Sequence, residues 1–548
     1  MKVLIIHALF IALAVSAQAQ GQCLSRTVSA AGKTIYTRCR IDTLSPAQIA
    51  SLQKGIAVMR GRNTAAQTST AFRTSWVNWA NTHLHYGTTP IGKFPMQAKL
   101  IMVTGHTTVP PDWPFQDWNP TPDQKRVWAW CPHHQPLPVD FLAWHRVYLY
   151  FFERTLRAAS GDPDLTIPYW DHAGDAAALL AAPPAAPPTT IAVPTAYLKG
   201  GPLYQHWQDI DKLAPMDGNV SAAFSTTDTL QFSKRIELSP HDSIHGDLGG
   251  FMNSTKSAAY TQIFFAHHAE IDRLWDCWES RVRAAGLTPA AIASNTDYSF
   301  LDEHGVEQRK TLAAFLAQID ADPTAETHYD QIGYCPTLRL APEIRAQIAV
   351  DNGEPGRQVF MLKGVRKAVA EVPADPNQAP QPVILNSAAG ASASKTVLLA
   401  PAGQGQLRNT LSRATQLLEF DNTPIQTGRV FLSLTVAVHN DLPARNVRVF
   451  VKPSGAAAAD DGELVGMISP FTLEHSEMSM MHDGHDAKPL SIEFDVTDAM
   501  RKFPDAGSFT VVWKVPAADD SEPGKTEGAL EFREVHFSIE DQQLFLPN

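Results

Sequence analysis

Twenty histidines stand out in this 548-residue chain, and their spacing says more than their number. The run Ser239-Pro240-His241-Asp242-Ser243-Ile244-His245 sets two imidazoles four residues apart. On a helix such rings lie one turn apart and face the same way, so together they can chelate a transition metal. A second run, Phe264 to Trp275, carries His267 and His268 side by side in an aromatic segment of buried-helix character. Buried rings are costly there unless they find partners. Asp272 follows His268 by one turn, where a carboxylate could fix a neighbouring ring or arginine. A third region joins Trp130-Cys131-Pro132-His133-His134 to Trp144-His145-Arg146, with Glu153 two turns beyond His145. Upstream of it lies Trp79-Ala80-Asn81-Thr82-His83-Leu84-His85. A lone histidine is more often structural than a ligand, and the 241/245 pair by itself is a weak signal. Several such regions in one chain read as a multi-histidine metal site inside a helix bundle. All-imidazole ligation suits copper, zinc, iron or nickel, and the residue types do not choose among them.

The elements that must position these rings are legible. Ser45 can cap a helix over 45–60, with Pro46 at its first position and Ile49, Leu52, Ile56 and Met59 at helical spacing. Residues 141–159 are apolar nearly all round, which predicts a buried helix. A further helix is expected over 260–285, stopped by Gly286. At 239–245, Ser239 can cap, Pro240 suits the first helical position and Gly246 can end the segment. Residues 181–194 read as a surface loop and 372–382 as a linker, both from Pro and Ala content. Beyond about residue 425 the apolar period becomes two: Val430, Leu432, Leu434, Val436 and Val438, then Val447, Val449 and Val451, then Ile492, Phe494 and Val496, then Phe509, Val511, Trp513 and Val515. Short alternating strands predict a β-sandwich. The expected fold is therefore multi-domain: a mainly α-helical bundle over 20–345, a connecting segment over 346–425 and an all-β sandwich over 426–548.

Composition bounds the rest. The chain is 44% hydrophobic and 18% charged, with a formal net charge of −11. That is ordinary globular composition, and without a basic stripe nucleic acid is not an expected partner. Lys2, the apolar run Val3–Val15 and Ala17-Gln18-Ala19 form a secretory signal over residues 1–19. The processed protein is expected to be secreted or periplasmic, with no membrane attachment. All five cysteines, Cys23, Cys39, Cys131, Cys277 and Cys335, follow that segment, so one lacks an intramolecular disulfide partner.

The histidine runs resemble known signatures. Phe141-Leu142-x-Trp144-His145-Arg146-x-x-Leu149-x-x-x-Glu153, then Pro168-Tyr169-Trp170-Asp171, resembles the copper A region of type 3 copper proteins, the tyrosinase, polyphenol oxidase and catechol oxidase family. Pro240-His241-x-x-x-His245, Gly249-Gly250 and Phe264-x-x-His267-His268-x-x-x-Asp272-Arg273-x-Trp275 resemble its copper B region. The resemblance covers roughly residues 45–345. The C-terminal part, with Leu464-Val465-Gly466 leading to His475, is similar to that of plant polyphenol oxidases.

This resemblance implies two copper ions, each held by three histidines, with O2 and a small phenol as partners. It assigns His241, His245 and His268 to copper B and leaves His267 behind them. It assigns His145 and His83 to copper A, with His85 and His106 as weaker candidates. The middle copper A ligand is His133 or His134. His133 is preferred because Cys131-x-His133 resembles the fungal motif in which the cysteine is thioether-linked to this ligand. Glu237, four residues before His241, resembles a family glutamate that holds a water and could help deprotonate a phenol. Asp242 stands where many monophenol-active relatives have Asn, and could orient His241 or act as a base. Thr261-Gln262 departs from the family's usual Asp-Pro. The implied activity is hydroxylation of monophenols, oxidation of o-diphenols to o-quinones, or both. The alternatives are a catechol-only oxidase and a hemocyanin-like O2 carrier. The Met- and His-rich stretch 473–485 reads as a lid, or as a further metal-binding loop.

Overall fold

A computed structural model describes residues 23–85, 119–128, 131–133, 140–172, 192–205, 220–224, 226–284, 289, 295–330, 338–340, 361–372, 381–386, 388–412, 418–420, 423–425, 428–439, 446–457, 461–473, 489–516 and 528–545. The expected signal segment, His106, His134, Cys335, His475 and residues 474–485 of the Met/His stretch lie outside the described residues. So do most of the 181–194 loop and the 372–382 linker.

Helices dominate the N-terminal part. Helix α1 spans Pro46–Gly61; the Ser45 hydroxyl accepts from the Gln48 amide while the Gln48 side chain returns to the Ser45 amide. This reciprocal cap satisfies two amide donors that a helix end leaves over. Helix α2, Trp76–His83, is capped by the Ser75 hydroxyl, which accepts from the Asn78 amide, and is buried throughout. Helix α3 is Phe141–Ser160, ended by Gly161 in the left-handed region at φ 69°. Glycine takes that conformation without a Cβ penalty. The next two ring-bearing segments are a wide turn over Glu237–Asp242 and the short helix α4, Ser243–Leu248. Helix α5 runs Gln262–Ala284. Ring stacking binds the bundle: Phe152 of α3 lies flat on Phe265 of α5 at 3.6 Å, and Trp76 of α2 meets both edge-on.

A small sheet closes one side of the bundle. Strand Thr34–Arg38 pairs with Arg26–Val28 and runs parallel to Ala325–Tyr329. It delivers Arg38 into the interior, where Nε meets Glu153 at 3.0 Å and Nη1 meets Asp272 at 2.9 Å. Cys23 and Cys39 form a disulfide, Cys277 is also disulfide-bonded, and Cys131 is a free, buried thiol.

The C-terminal part is a sandwich of two five-stranded sheets. One orders Glu463–Ile468, Val447–Pro453, Ser508–Lys514, Ser392–Leu399 and Glu371–Val372. The other orders Leu490–Asp495, Gly428–His439, Ala529–Phe545 and Met361–Ala368, with Val383–Asn386 also on Ala529–Phe545. Residues 361–412 thus lend strands and a helix, Pro401–Ser412, to this β core. Val430, Leu432, Leu434 and Val436 face inward, as their period of two predicts. Phe431 and Ser433 are buried as well. Their face of the sheet docks on the helical part, where the Arg235 guanidinium lies 4.7 Å from the Phe431 ring centre.

Candidate metal centre

Two groups of histidine ligand atoms meet in the bundle core. The first joins His83 at the end of α2, Cys131 and His133 on the following segment, and His145 on α3. The second joins His241 on the wide turn, His245 on α4 and both His267 and His268 on α5. Within each group the donor atoms lie within 4.8 Å of one another, and every residue is buried. The groups touch: His145 stacks on His268 at 4.4 Å between ring centres, and His133 stacks on His241 at 5.4 Å.

Each of these rings but His268 has its Nδ1 against a nearby group. Nδ1 of His83 donates to the Thr255 carbonyl at 3.0 Å, that of His145 to the Phe141 carbonyl at 2.8 Å, and that of His245 to the Met252 carbonyl at 2.7 Å. His133 Nδ1 faces Glu237 Oε1 at 3.1 Å, and His241 Nδ1 faces Asp242 Oδ1 at 2.9 Å. His267 Nδ1 contacts His172 Nε2 at 3.0 Å. Fixing one ring nitrogen sets the tautomer and aims the other, which is how metal-binding imidazoles are held.

These residues fit a metal on three counts. The Nε2 atoms of His245 and His268 stand 3.4 Å apart. Two imidazole nitrogens sharing one ion at about 2.0–2.1 Å and a tetrahedral angle are separated by about 3.3–3.4 Å. Nε2 of His267, in the second group, is buried without a hydrogen-bond partner. Burial also disfavours the charged form of four of these rings, and the neutral form is the one that binds metal. His83 is held down at about 3 by desolvation, despite its bond to Thr255. His245, His267 and His268 are pushed well below the ordinary imidazole range by desolvation and by neighbouring rings.

Sequence and structure differ in places. His85 is buried against Trp128, 4.7 Å between ring centres, and is not part of either group. Cys131 Sγ sits 3.1 Å from His83 Nε2, in the group that contains His133. Burial pushes that thiol well above its usual range. Gly246 does not end its helix, which runs on to Leu248. Its role is close approach: a Cβ there would lie 2.7 Å from Ser469 Cβ.

That contact introduces a residue the sequence reading did not single out. Ser469 opens a helical turn carrying Phe471, out of the sandwich strand Glu463–Ile468. Phe471 is fully buried in the helical core. Its ring lies parallel to His245 at 3.8 Å and edge-on to His133 and His241 at 5.9 and 5.6 Å. Nothing in the type or spacing of Phe471 distinguishes it among 25 phenylalanines.

Comparison with known proteins bears on this geometry. The family model for the common central domain of tyrosinase matches residues 73–209 and 199–281, the stretch that carries both histidine groups. Residues 73–281 thus carry the similarity to tyrosinase-type, type 3 copper domains. Tyrosinase HcTyr1 of Hahella sp. (strain CCB-MM4) is 26% identical over 213 residues, which are 33% of this chain and 44% of that protein. The latent form of polyphenol oxidase from Prunus armeniaca is 24% identical over 191 residues, 26% of this chain and 29% of that one. Hemocyanin G-type of Enteroctopus dofleini is 30% identical over 179 residues, 30% of this chain but 6% of that protein. The chain thus spans less than half the length of these relatives. Among solved structures, latent aurone synthase from natural source aligns over 97% of this chain and 93% of its own, at 15% identity and TM-score 0.49. For a tyrosinase-type central domain with two such histidine groups, two copper ions are the expected cofactors.

Proposed function

We propose that this chain is a dicopper phenol oxidase whose C-terminal sandwich keeps it latent. In this reading His83, His133 and His145 hold copper A, and His241, His245 and His268 hold copper B. The observation that carries it is the pair of touching, buried imidazole groups with an aromatic ring seated flat on one of their rings. When bound, the coppers supply O2 activation and two-electron oxidation of the phenol.

The chain's own residues do the remainder. The bundle holds the rings in a desolvated core, which excludes water and keeps donor geometry fixed. The face of His245 accepts a planar aromatic ring, since Phe471 already lies on it at 3.8 Å. A phenol needs that same face, so Phe471 has to leave before substrate enters. Glu237 and Asp242 are the carboxylates of the site, and each stands against an imidazole Nδ1. Asp242 therefore orients His241, in place of the Asn of many monophenol-active relatives, and oxidation of o-diphenols is the activity we expect first. We further propose that residues 1–19 direct export. Among the described residues no helix is long and apolar enough to cross a membrane.

A covered site also suits reversible O2 binding, and hemocyanins are among the relatives. One experiment separates the readings: O2 uptake by the copper-loaded chain with a monophenol and with a catechol, before and after limited proteolysis. Uptake with catechol that rises after cleavage supports the latent oxidase, and uptake with both substrates adds hydroxylation. O2 binding without turnover in either state would support the carrier instead.

A further inference from the structure

Among the proposed copper ligands, the Nδ1 anchors are of two kinds. His83, His145 and His245 donate to backbone carbonyls. His133 and His241 meet carboxylates, at 3.1 Å from Glu237 and 2.9 Å from Asp242. The division is symmetric: each histidine group holds one carboxylate-backed ring. Those two rings also stack on each other across the groups, at 5.4 Å and inclined by 29°. All four residues are within 1% of full burial.

A carbonyl satisfies an Nδ1–H. An ionised carboxylate does more, because its bond to an N–H is charge-assisted and strengthened in a low-dielectric interior. It draws the Nδ1 proton towards itself and raises electron density at Nε2, the donor atom. A richer donor favours the more highly charged ion, Cu(II), over Cu(I).

We infer that Glu237 and Asp242 are positioning residues that act through His133 and His241, each setting the Cu(II)/Cu(I) balance of one copper. This rests on the reading of the two groups as copper sites. It assigns both carboxylates a role other than abstracting a proton from substrate, and it predicts matched effects at the two metals.

The test uses the isosteric variants Glu237→Gln and Asp242→Asn in the full chain. Copper content, Cu(II) affinity and Cu(I) affinity are measured separately with competing chelators, and the reduction potential by mediated titration. Each variant is expected to retain two coppers and to bind Cu(II) about 10–100-fold more weakly at one site. Cu(I) affinity should change far less. Each tenfold loss confined to Cu(II) raises that copper's potential by about 59 mV. Equal losses for both oxidation states, or unchanged potentials with both coppers present, overturn the inference and reduce the contacts to orientation. A wild-type chain that holds fewer than two coppers removes the metal-site reading itself. Should Glu237→Gln not fold, Asp242→Asn reads the same effect at the other group.

Discussion

At the scale of single residues, the choice between His267 and His268 is the sharpest. Both rings lie in the second group, but only His268 among these two contacts another ring's Nε2 at a distance that suits a shared ion. His267 has its Nδ1 on His172, and among the described residues its Nε2 makes no comparably close contact with another ring nitrogen. We predict that His268→Ala lowers copper from two to about one per chain and cuts catechol oxidation at least a hundredfold. His267→Ala should keep both coppers, as metal analysis of the two variants will show. Most ring candidates were legible in the sequence because imidazoles at helical spacing are rare and costly in an aromatic core. The partners of those rings were not. Glu237 reaches His133 across 104 positions, and Thr255 reaches His83 across 172. No local pattern encodes such contacts; the packing of α2 and the wide turn against neighbouring segments creates them. The adjacent His134, open as an alternative to His133, lies outside the described residues.

At the scale of elements, α3 and α5 must keep their relative position for the two groups to meet. Aromatic stacking does part of this, and a buried ionic knot does the rest. Asp272 of α5 takes Arg146 Nε of α3 at 2.5 Å, Arg38 Nη1 at 2.9 Å and the Tyr329 hydroxyl at 2.6 Å. Burial pushes this carboxyl up, but Arg146 and Arg38 outweigh it and hold it below the ordinary range. Removing it leaves buried guanidinium groups uncompensated. Asp272→Ala should cost about 3–5 kcal/mol, lowering the melting temperature by on the order of 10 °C. The pH sign follows from the depressed value. This stabilisation is present above about pH 4, the unfolded carboxylate's range, and is lost as pH falls through the lower folded value. Melting scans between pH 7 and pH 3 should therefore fall more steeply for the wild type than for Asp272→Asn. The sequence exposed α1, α3 and α5 through caps and periodicity. It did not expose the break at 237–242. There the period is interrupted at Ser239, which has extended backbone angles (φ −146°, ψ 123°) inside the turn.

At the scale of the whole molecule, the sandwich is fastened over the helical part. Glu540 of the sandwich pairs with Arg235 of the bundle, both nearly fully buried, and with Arg366 at 3.2 Å. Both guanidinium groups lie over Phe431, at 4.7 and 4.3 Å. Gly246 leaves the gap that admits Ser469, and Phe471 follows into the bundle core. Burial raises the Glu540 carboxyl, yet Arg235 and Arg366 prevail and hold it below its ordinary range. Truncating a buried interfacial pair of this kind costs about 2–5 kcal/mol. We predict that Glu540→Gln raises catechol-driven O2 uptake of the uncleaved chain at least tenfold. Phe471→Ala should do so without loosening the sandwich, and limited proteolysis should tell the two variants apart. Acid below the ordinary carboxylate range should release the wild type in the direction of Glu540→Gln. Alternation beyond residue 425 foretold the sandwich, because period two is a local property. The docked face was hidden, because alternation alone does not tell which off-phase positions, such as Phe431, another part of the chain covers.

The account depends first on two separate metals held by two separate ring groups. Copper per chain should therefore be measured by elemental analysis on the reconstituted wild type, on His145→Ala and on His241→Ala. The predicted result is two, one and one, with circular dichroism unchanged. A wild type holding fewer than two coppers, or either variant retaining two, would contradict it.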